Sequence, residues 1–303
     1  MTGLVAWLWG PAAADSTEPA ATEPIAAPAS PAPPAVPPTV RWSPLVVVEG
    51  TLFSVILEGG DPTVQDAKGT FGGEPLHFQP RVEGGLVALA AAPLDSIGSR
   101  ALHLELALAD GSADLLEVEI PVDRGTYAMQ RLTVAPEFGS PQPPAIQARI
   151  EEESARAFEV SRRSHESRRM WEPPFVAPRE SRITSGFGHG RVFNDQVQSR
   201  HTGTDFAGAV GTPVHAPARG VVALVDEFYL GGRVIYIDHG AGLVTGYLHL
   251  SEQLVSEGDV VEPGQQIGRI GATGRVTGPH LHWIVRYGPH SVDGLSLLNY
   301  AAP

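Results

Sequence analysis

Two histidines separated by a single residue, His280 and His282, lie in the segment Thr277–Trp283, which reads TGPHLHW. In a β-strand, alternate side chains point to the same face of the sheet. Both imidazoles would therefore project together, with Leu281 and Trp283 on the opposite face. Such a pair can bind a metal ion or transfer protons, but it also occurs by chance on half-exposed strands. Its role depends on which other polar residues the fold brings beside it.

Three further residues could complete a site with this pair. His201 precedes Asp205 by four residues in RHTGTDFAG, and His249 lies within the apolar run of TGYLHLS. Taken singly, Asp205 is typical of a turn or a helix cap, and His249 of a core histidine with satisfied hydrogen bonds. Taken together, four imidazoles and one carboxylate could supply the three nitrogen or oxygen ligands of a catalytic zinc ion and leave one position open. A serine triad is less favoured, because the sequence has no Gly-x-Ser-x-Gly motif.

Composition excludes several other classes of protein. The chain has 303 residues and a formal net charge of -13, so it lacks the basic surface that binding a nucleic-acid backbone requires. Cysteine is absent, which excludes disulfides, thiolate zinc ligands and a cysteine nucleophile. No segment approaches the length of a membrane span. We therefore expect a protein that does not bind nucleic acid and does not span a membrane.

Changes in composition divide the chain into five predicted parts. Residues 1–14 resemble a truncated signal segment, and residues 15–40 form a Pro/Ala-rich linker. Short apolar runs between turn residues predict an immunoglobulin-like β-sandwich over residues 41–134. Strong helix formers with mixed charge predict a helical connector over residues 144–170 with a mainly solvated face, or alternatively a helix that docks on a domain or an acidic partner. Dense glycine and short strands over residues 183–303 predict a second all-β domain.

The remaining histidines outside the connector are expected to have no catalytic role. Each is interpreted as a surface residue or as a structural residue with satisfied hydrogen bonds: His77, His103, His189, His215, His239 and His290. The predicted fold class is therefore all-β with a connecting helix, an N-terminal sandwich and a C-terminal glycine-rich sheet that carries the candidate site.

Three separated motifs in the second half resemble the M23 family of zinc metallopeptidases, the lysostaphin-like or LytM-like peptidoglycan endopeptidases. In order along the chain they are HTGTD, YLHLS and GPHLH, and the resemblance extends over about residues 183–287. It implies a LytM-like catalytic domain that binds one Zn²⁺ per chain through His201, Asp205 and His282. It also implies that His249 and His280 are catalytic histidines without a bond to the metal.

The resemblance implies hydrolysis of peptide cross-links in bacterial peptidoglycan, with the peptide stems as substrate. It also implies a location in the cell envelope, either periplasmic or secreted. The alternative is a catalytically inactive relative that activates a cell-wall amidase, which would make other cell-wall enzymes its partners. Such relatives usually lack some of the ligands, whereas all five positions are occupied here, so the active endopeptidase is favoured.

Overall fold

A computed structural model of the protein describes residues 36–60 and 63–300. The predicted signal segment and the predicted linker up to residue 35 lie outside the described residues. Within the described part, no helix combines the length and the apolar character needed to cross a membrane. The described residues belong to one compact unit, so the predicted boundaries between separate domains stay predictions.

Of the first ten strands, nine form two sheets that enclose one core. The strands are β1 (Thr39–Ser43), β2 (Val47–Val48), β3 (Thr51–Glu58), β4 (Val64–Phe71), β5 (Glu74–His77), β6 (Gln79–Pro80), β7 (Leu86–Ala92), β8 (Gly98–Leu108), β9 (Ala113–Asp123) and β10 (Met129–Leu132). Four form a sheet in the order β1-β3-β7-β6, and five form a sheet in the order β2-β9-β8-β4-β5. Both sheets contribute buried side chains to the shared core, among them Phe53 from β3 and Leu104 from β8. An immunoglobulin-like connection of these strands stays a prediction.

Two of these strands differ from the sequence-based expectation. Strand β4 does not read as a short apolar run, because Asp66, Lys68 and Gly69 interrupt its apolar pattern and few of its side chains are buried. Strand β10, expected in the sandwich, instead pairs in parallel with a strand formed by Gly190–Phe193. Its residues are exposed or half-buried in alternation, so it has no fully apolar face to add to the sandwich core.

The second half of the chain forms one large sheet and one small one. Its strands are β11 (Ile183–Ser185), β12 (Gly190–Phe193), β13 (Val197–Arg200), β14 (Thr204–Ala207), β15 (Pro213–His215), β16 (Gly220–Phe228), β17 (Gly232–Gly240), β18 (Leu243–Gln253), β19 (Val260–Val261), β20 (Gln266–Ile270), β21 (His280–Tyr287) and β22 (His290–Val292). The main path of the ten-stranded sheet is β11-β14-β21-β18-β17-β16-β19. Trp283 and Tyr247 are fully buried on one face of its central strands. The expected glycine-rich all-β region is confirmed.

The helices are few and short apart from the connector. They are α1 (Pro136–Gly139), α2 (Pro144–Arg163), a 3₁₀ turn at Ser164–Glu166 and α3 (Gly294–Leu298). Helix α2 begins with a proline at its first position, and its last turn carries Arg162 and Arg163, which favours a helix C-terminus. The connecting helix is therefore confirmed. Most of its residues are exposed, and only a narrow side with Glu153, Ala157 and Ser161 is buried.

Helix α2 docks on the large sheet. Its Ala157 is 1% exposed and packs in a cluster with Leu224, Tyr236 and Ile284 from strands β16, β17 and β21. The apolar stripe is narrow because small residues, not large ones, make the close contact. Docking places one side of α2 over the face of the sheet opposite Trp283.

Four titratable residues meet where strand β5, the 3₁₀ turn and strand β22 come together. His165 Nδ1 lies 2.9 Å from His77 Nε2, and its Nε2 lies 3.0 Å from Glu74 Oε2. His290 Nε2 lies 3.6 Å from Glu74 Oε1. His290 is only half-buried, but it belongs to this junction and does not stand alone on the surface as expected.

Candidate metal centre and active site

Three of the five predicted site residues converge on one point. His201 Nε2 lies 2.9 Å from Asp205 Oδ1 and 3.0 Å from His282 Nδ1. His282 Nδ1 lies 2.7 Å from the same carboxylate oxygen. All three residues are buried. This is the group of three potential metal-binding side chains found among the described residues.

The register of two antiparallel strands creates this convergence. Strands β14 and β21 pair so that Asp205 stands directly opposite His282. His201 follows β13, and a tight turn through Gly203 returns the chain into β14. A Cβ atom on Gly203 would lie 2.5 Å from the Trp283 carbonyl oxygen and 2.8 Å from His282 Cε1. Glycine is therefore required for the turn to approach this closely.

The hydrogen bonds leave lone pairs at the point of convergence. His201 Nδ1 lies 2.6 Å from the Gly186 carbonyl oxygen, which can only accept, so Nδ1 carries the proton and Nε2 faces Asp205 and His282 as a lone pair. A lone-pair nitrogen and a carboxylate oxygen this close repel each other unless a proton or a cation lies between them. Two imidazole nitrogens and one carboxylate oxygen are a donor set that suits zinc. A backbone carbonyl that fixes the tautomer is the usual support of a metal-binding histidine.

Electrostatics keep the cluster in the form that binds a cation. Burial alone would raise the pKa of Asp205, but the adjacent imidazoles of His201 and His282 hold that pKa well below its usual value. Arg191 Nη2 also donates to Asp205 Oδ2 at 2.5 Å. Burial lowers the pKa of His282 to about 4, despite the opposing effect of Asp205. At neutral pH the carboxylate is charged and the imidazole of His282 is neutral, as metal coordination requires.

The other two predicted residues, His249 and His280, lie beside this cluster. Their rings are 5.0 Å apart, and the His249 ring is 5.8 Å from that of His282. His280 Nε2 lies 3.7 Å from Asp205 Oδ1. His249 Nδ1 donates to the Thr273 carbonyl oxygen and His280 Nδ1 donates to that of Gly278, each at 2.8 Å. In the neutral tautomer that these contacts favour, Nε2 of each ring is the nitrogen that can accept a proton.

An unusual backbone conformation aims His249 at the site. Strict alternation along β18 would place His249 on the same face as Tyr247, away from His282. His249 instead has a φ of +63°, in the left-handed region that side chains rarely adopt. The ladder between β18 and β17 is irregular here, and the His249 amide donates to the Gly231 carbonyl oxygen at 2.8 Å. The strain turns the imidazole towards the cluster of His201, Asp205 and His282.

Two clefts meet at the cluster. The first cleft, of about 220 Å³, extends from His201 and His282 along strand β21 to Arg286, and helix α2 borders it. The second cleft, of about 240 Å³, contains Asp205 and His280 and is bordered by residues 276–279 and by β10. Their shared walls include His249. An extended chain could therefore pass across the cluster from one cleft into the other.

Sequence reasoning did not identify several arginines of the site. Arg191, Arg275 and Arg286 line these clefts, but none lies in a motif with a recognisable spacing to the histidines. The position of Arg286 could have been inferred from the sequence, because it follows His282 by four residues in the same strand and must therefore share its face. Arg191 and Arg275 lie outside β14, β18 and β21, so the alternation of side chains along these strands could not place them at the site.

A carboxylate and two imidazoles at one point of a β-sheet, with two more imidazoles that keep a free Nε2, are the components of a metal-dependent hydrolytic site. A β-rich fold with such a site is suited to metal-dependent hydrolysis.

The comparisons relate part of the chain to one family of peptidases. Residues 199–294 match the model of Peptidase family M23. It is 50% identical over 113 residues to the peptidoglycan DD-endopeptidase ShyA of Vibrio cholerae, a match that covers 36% of this chain and 26% of the relative. It is 43% identical over 104 residues to ShyC of the same organism, which covers 34% and 24%. The chain therefore spans about a quarter of the length of these relatives.

A solved structure resembles more of the chain. The crystal structure of an M23 peptidase from Pseudomonas aeruginosa is similar with a TM-score of 0.62 and 25% identity, over 83% of this chain and 94% of that one. The similarity therefore includes residues outside the region that the family model matches.

Proposed function

We propose that this protein is a zinc-dependent endopeptidase that hydrolyses peptide cross-links of bacterial peptidoglycan. The observation that carries the proposal is the convergence of His201 Nε2, Asp205 Oδ1 and His282 Nδ1 within 3.0 Å of one another. The DD-endopeptidase activity named for the Vibrio cholerae relatives is extended to this chain as part of the proposal.

His201, Asp205 and His282 would hold one zinc ion. When bound, zinc polarises a carbonyl group and makes water a stronger acid near neutral pH. Arg191 orients the carboxylate of Asp205 through its other oxygen, and the Gly186 carbonyl orients His201. These contacts fix the ligand atoms before a metal arrives, which limits the reorganisation that binding costs.

His249 and His280 would move the protons of the reaction. Amide hydrolysis adds water to the carbonyl carbon, breaks the C–N bond and transfers a proton to the departing amine. The free Nε2 of either ring can accept the proton of the attacking water and return it to the amine. Burial, followed by the neighbouring His282 and His280, lowers the pKa of His249 well below its usual value, so this ring is unprotonated at neutral pH.

The two clefts support a peptide substrate in extended form. They lie on either side of the metal-binding cluster and meet at it, so a scissile bond at their junction would face both the ligands and the proton-transfer residues. The peptide stems of peptidoglycan are such substrates. The protein would then act in the cell envelope, in the periplasm or after secretion.

An inactive regulator that activates a cell-wall amidase is the second candidate. It is not favoured, because the site contains residues for both metal binding and proton transfer. Three side chains form the ligand cluster, and two further rings have tautomers fixed by carbonyl groups. A protein that acts only by binding other cell-wall enzymes needs neither arrangement.

The test combines metal analysis with digestion of purified sacculi. We expect the wild type to contain one zinc per chain and to clear a suspension of sacculi. His280→Ala should keep its zinc and lose turnover by roughly 100-fold or more, because a proton-transfer residue contributes about that much. His201→Ala should lose both zinc and turnover. His103→Ala, on the exposed face of β8, is the matched control and should retain both.

Two results would contradict parts of the proposal. Stoichiometric zinc in the His201 variant would show that the ligand assignment is wrong. A zinc-loaded wild type that leaves sacculi and isolated cross-linked peptides intact, but stimulates an amidase, would favour the regulator.

A further inference from the structure

The first cleft is strongly cationic although the chain as a whole is acidic. Of its lining residues, Glu153 alone is acidic, and both of its carboxylate oxygens already accept hydrogen bonds, from Arg149 Nε at 2.6 Å and from the Tyr229 amide at 2.8 Å. Four arginines line the same cleft: Arg191, Arg200, Arg275 and Arg286. In a chain with a net charge of -13, this concentration of positive charge is local.

Two of these arginines have acidic partners. Arg191 donates to Asp205 at 2.5 Å. Arg200 Nη1 lies 3.0 Å from both carboxylate oxygens of Asp95. The positive charge left in the cleft therefore belongs to the other two arginines, for which no ion pair is found within residues 36–60 and 63–300.

Arg286 is the more unusual of the two. The residue is 7% exposed, and its buried Nε and Nη1 atoms have no hydrogen-bond partner among the described residues. Its guanidinium lies 4.2 Å from the ring centre of Phe158 and 5.7 Å from that of Tyr236. The rings offset part of the desolvation of the cation, but they satisfy none of its N–H donors. A buried charge in this state is costly and calls for a ligand of opposite charge.

Helix α2 fixes the position of this guanidinium. Phe158 belongs to α2, and the neighbouring Ala157 anchors the helix on the sheet. Arg286 follows His282 by four residues in β21, which corresponds to about 13 Å along the strand. A ligand group at Arg286 would therefore lie a few residues of extended peptide away from the metal-binding cluster.

Arg275 lies nearer to the cluster. It borders both clefts, and its guanidinium lies 4.2 Å from the ring centre of Phe193. Burial, followed by the charge of Arg191, lowers its pKa to about 10, so it remains charged at neutral pH. The path from the cluster to the end of the first cleft thus passes the half-buried Arg275 and ends at the buried Arg286.

We propose that Arg286, assisted by Arg275, binds a free carboxylate of the peptide substrate in the first cleft. The inference rests on the proposed endopeptidase function and specifies its substrate as a peptide with an anionic group on the side of the scissile bond that enters this cleft. A planar guanidinium matches a planar carboxylate in shape and charge. The peptide stems of peptidoglycan carry such carboxylates, both on side chains and at chain ends.

The test compares two forms of one substrate on the zinc-loaded full chain. The first is a cross-linked muropeptide dimer with free carboxylates, and the second is the same dimer with these groups converted to carboxamides. We expect the wild type to cleave the free form with a kcat/KM that is roughly 10- to 100-fold higher, the range for one charged hydrogen bond. Arg286→Met should lose this preference and cleave both forms at the rate of the amidated one. Arg219→Met is the control, because Arg219 is exposed, pairs with Glu262 and also removes one positive charge.

Stability separates a binding role from a structural one. Methionine is similar in length and uncharged, so Arg286→Met should fold with an unchanged or higher melting temperature. If this variant does not fold, Arg286→Lys provides the same comparison, because it keeps the charge but lacks the planar donor pair and should reduce the preference.

Equal cleavage of the two substrates by the wild type would overturn the proposed carboxylate site and leave the endopeptidase function intact. If the wild type cleaves neither dimer, the proposed function fails, and calorimetric binding of the two dimers to chelator-treated protein still decides the question of Arg286. Tighter binding of the free form by the wild type, absent in the Arg286 variant, would support the site, and equal binding would overturn it.

Discussion

We predict that His239 makes the stability of the protein depend on pH. The residue is fully buried in strand β17. Its Nδ1 donates to the Arg219 carbonyl oxygen at 2.9 Å, and its Nε2 lies 2.8 Å from the Thr245 hydroxyl oxygen. Burial lowers the pKa of His239 from 6.5 to about 4, and the Arg219 carbonyl opposes the shift only in part. The ring is therefore neutral in the folded protein at pH 5, whereas it is mostly protonated in the unfolded chain.

The sign and size of the effect follow from this difference. The unfolded state binds more protons than the folded state between the two pKa values, so the free energy of unfolding falls as the pH falls. One proton difference is worth about 1.4 kcal/mol per pH unit, so lowering the pH from 7 to 5 should cost about 2 kcal/mol through His239 alone. Below the folded pKa no further loss comes from this residue.

The measurement is urea unfolding at pH 7 and pH 5 for the wild type and for His239→Gln, in one buffer with chelator. Glutamine is neutral throughout and can still form hydrogen bonds, so the variant should lose about 2 kcal/mol less than the wild type over this range. Other buried histidines titrate in both proteins, and their contributions cancel in the difference. His103→Gln, at an exposed position in β8, should lose as much as the wild type. An equal pH-dependent loss in the His239 variant and the wild type would refute the reasoning.

Two further substitutions test the docking of α2 and the turn before β14. Ala157→Asp should destabilise the protein by at least ~2 kcal/mol, because it buries an unpaired carboxylate. Arg156→Ala on the same helix removes an ion pair with the half-buried Asp226 that is open to solvent on the arginine side, and it should cost less than about 1 kcal/mol in the same urea titration. A small effect of Ala157→Asp would mean that the helix is not docked. Gly203→Ala should weaken zinc binding in a chelator competition, because the new methyl group would displace the strand that carries the ligand histidine. Gly278→Ala, whose Cβ would meet no atom within 4 Å, should bind zinc as the wild type does, and equal affinities of the two variants would exclude the steric argument.

The fold could be predicted from the sequence wherever one face of a strand is buried. Strand β8 alternates buried and exposed side chains, and its apolar alternation was visible in the sequence. Strand β4 was missed because Asp66 and Lys68 lie within it, and its pairing with β8 rather than its own pattern makes it a strand. The docking of α2 is only the second interpretation of its sequence for a related reason, since Ala157 gives little hydrophobic signal but allows the close approach of helix and sheet.

Only the residues of the candidate site that lie within the three motifs could be predicted from the sequence. The motifs named five residues that the structure brings together, yet the aim of His249 depends on a positive φ that simple strand alternation does not suggest. Arg191 comes from another strand, and its contact with Asp205 depends on how the β12–β13 hairpin folds over β14. Tertiary contacts of this kind leave no local pattern in the sequence.

Strand β21 shows why the site and the core cannot vary independently. Its even-numbered residues supply a proposed zinc ligand at His282, a proton-transfer ring at His280 and a cation at Arg286, while the odd-numbered residues include the fully buried Trp283. A slip of one residue in its pairing would exchange the two faces, placing the indole in the cleft and the charged groups in the core. The burial of Trp283 therefore sets the register that places His282 opposite Asp205. Substitutions that weaken this core contact should lower metal affinity and stability together, because both depend on the same pairing of β14 with β21.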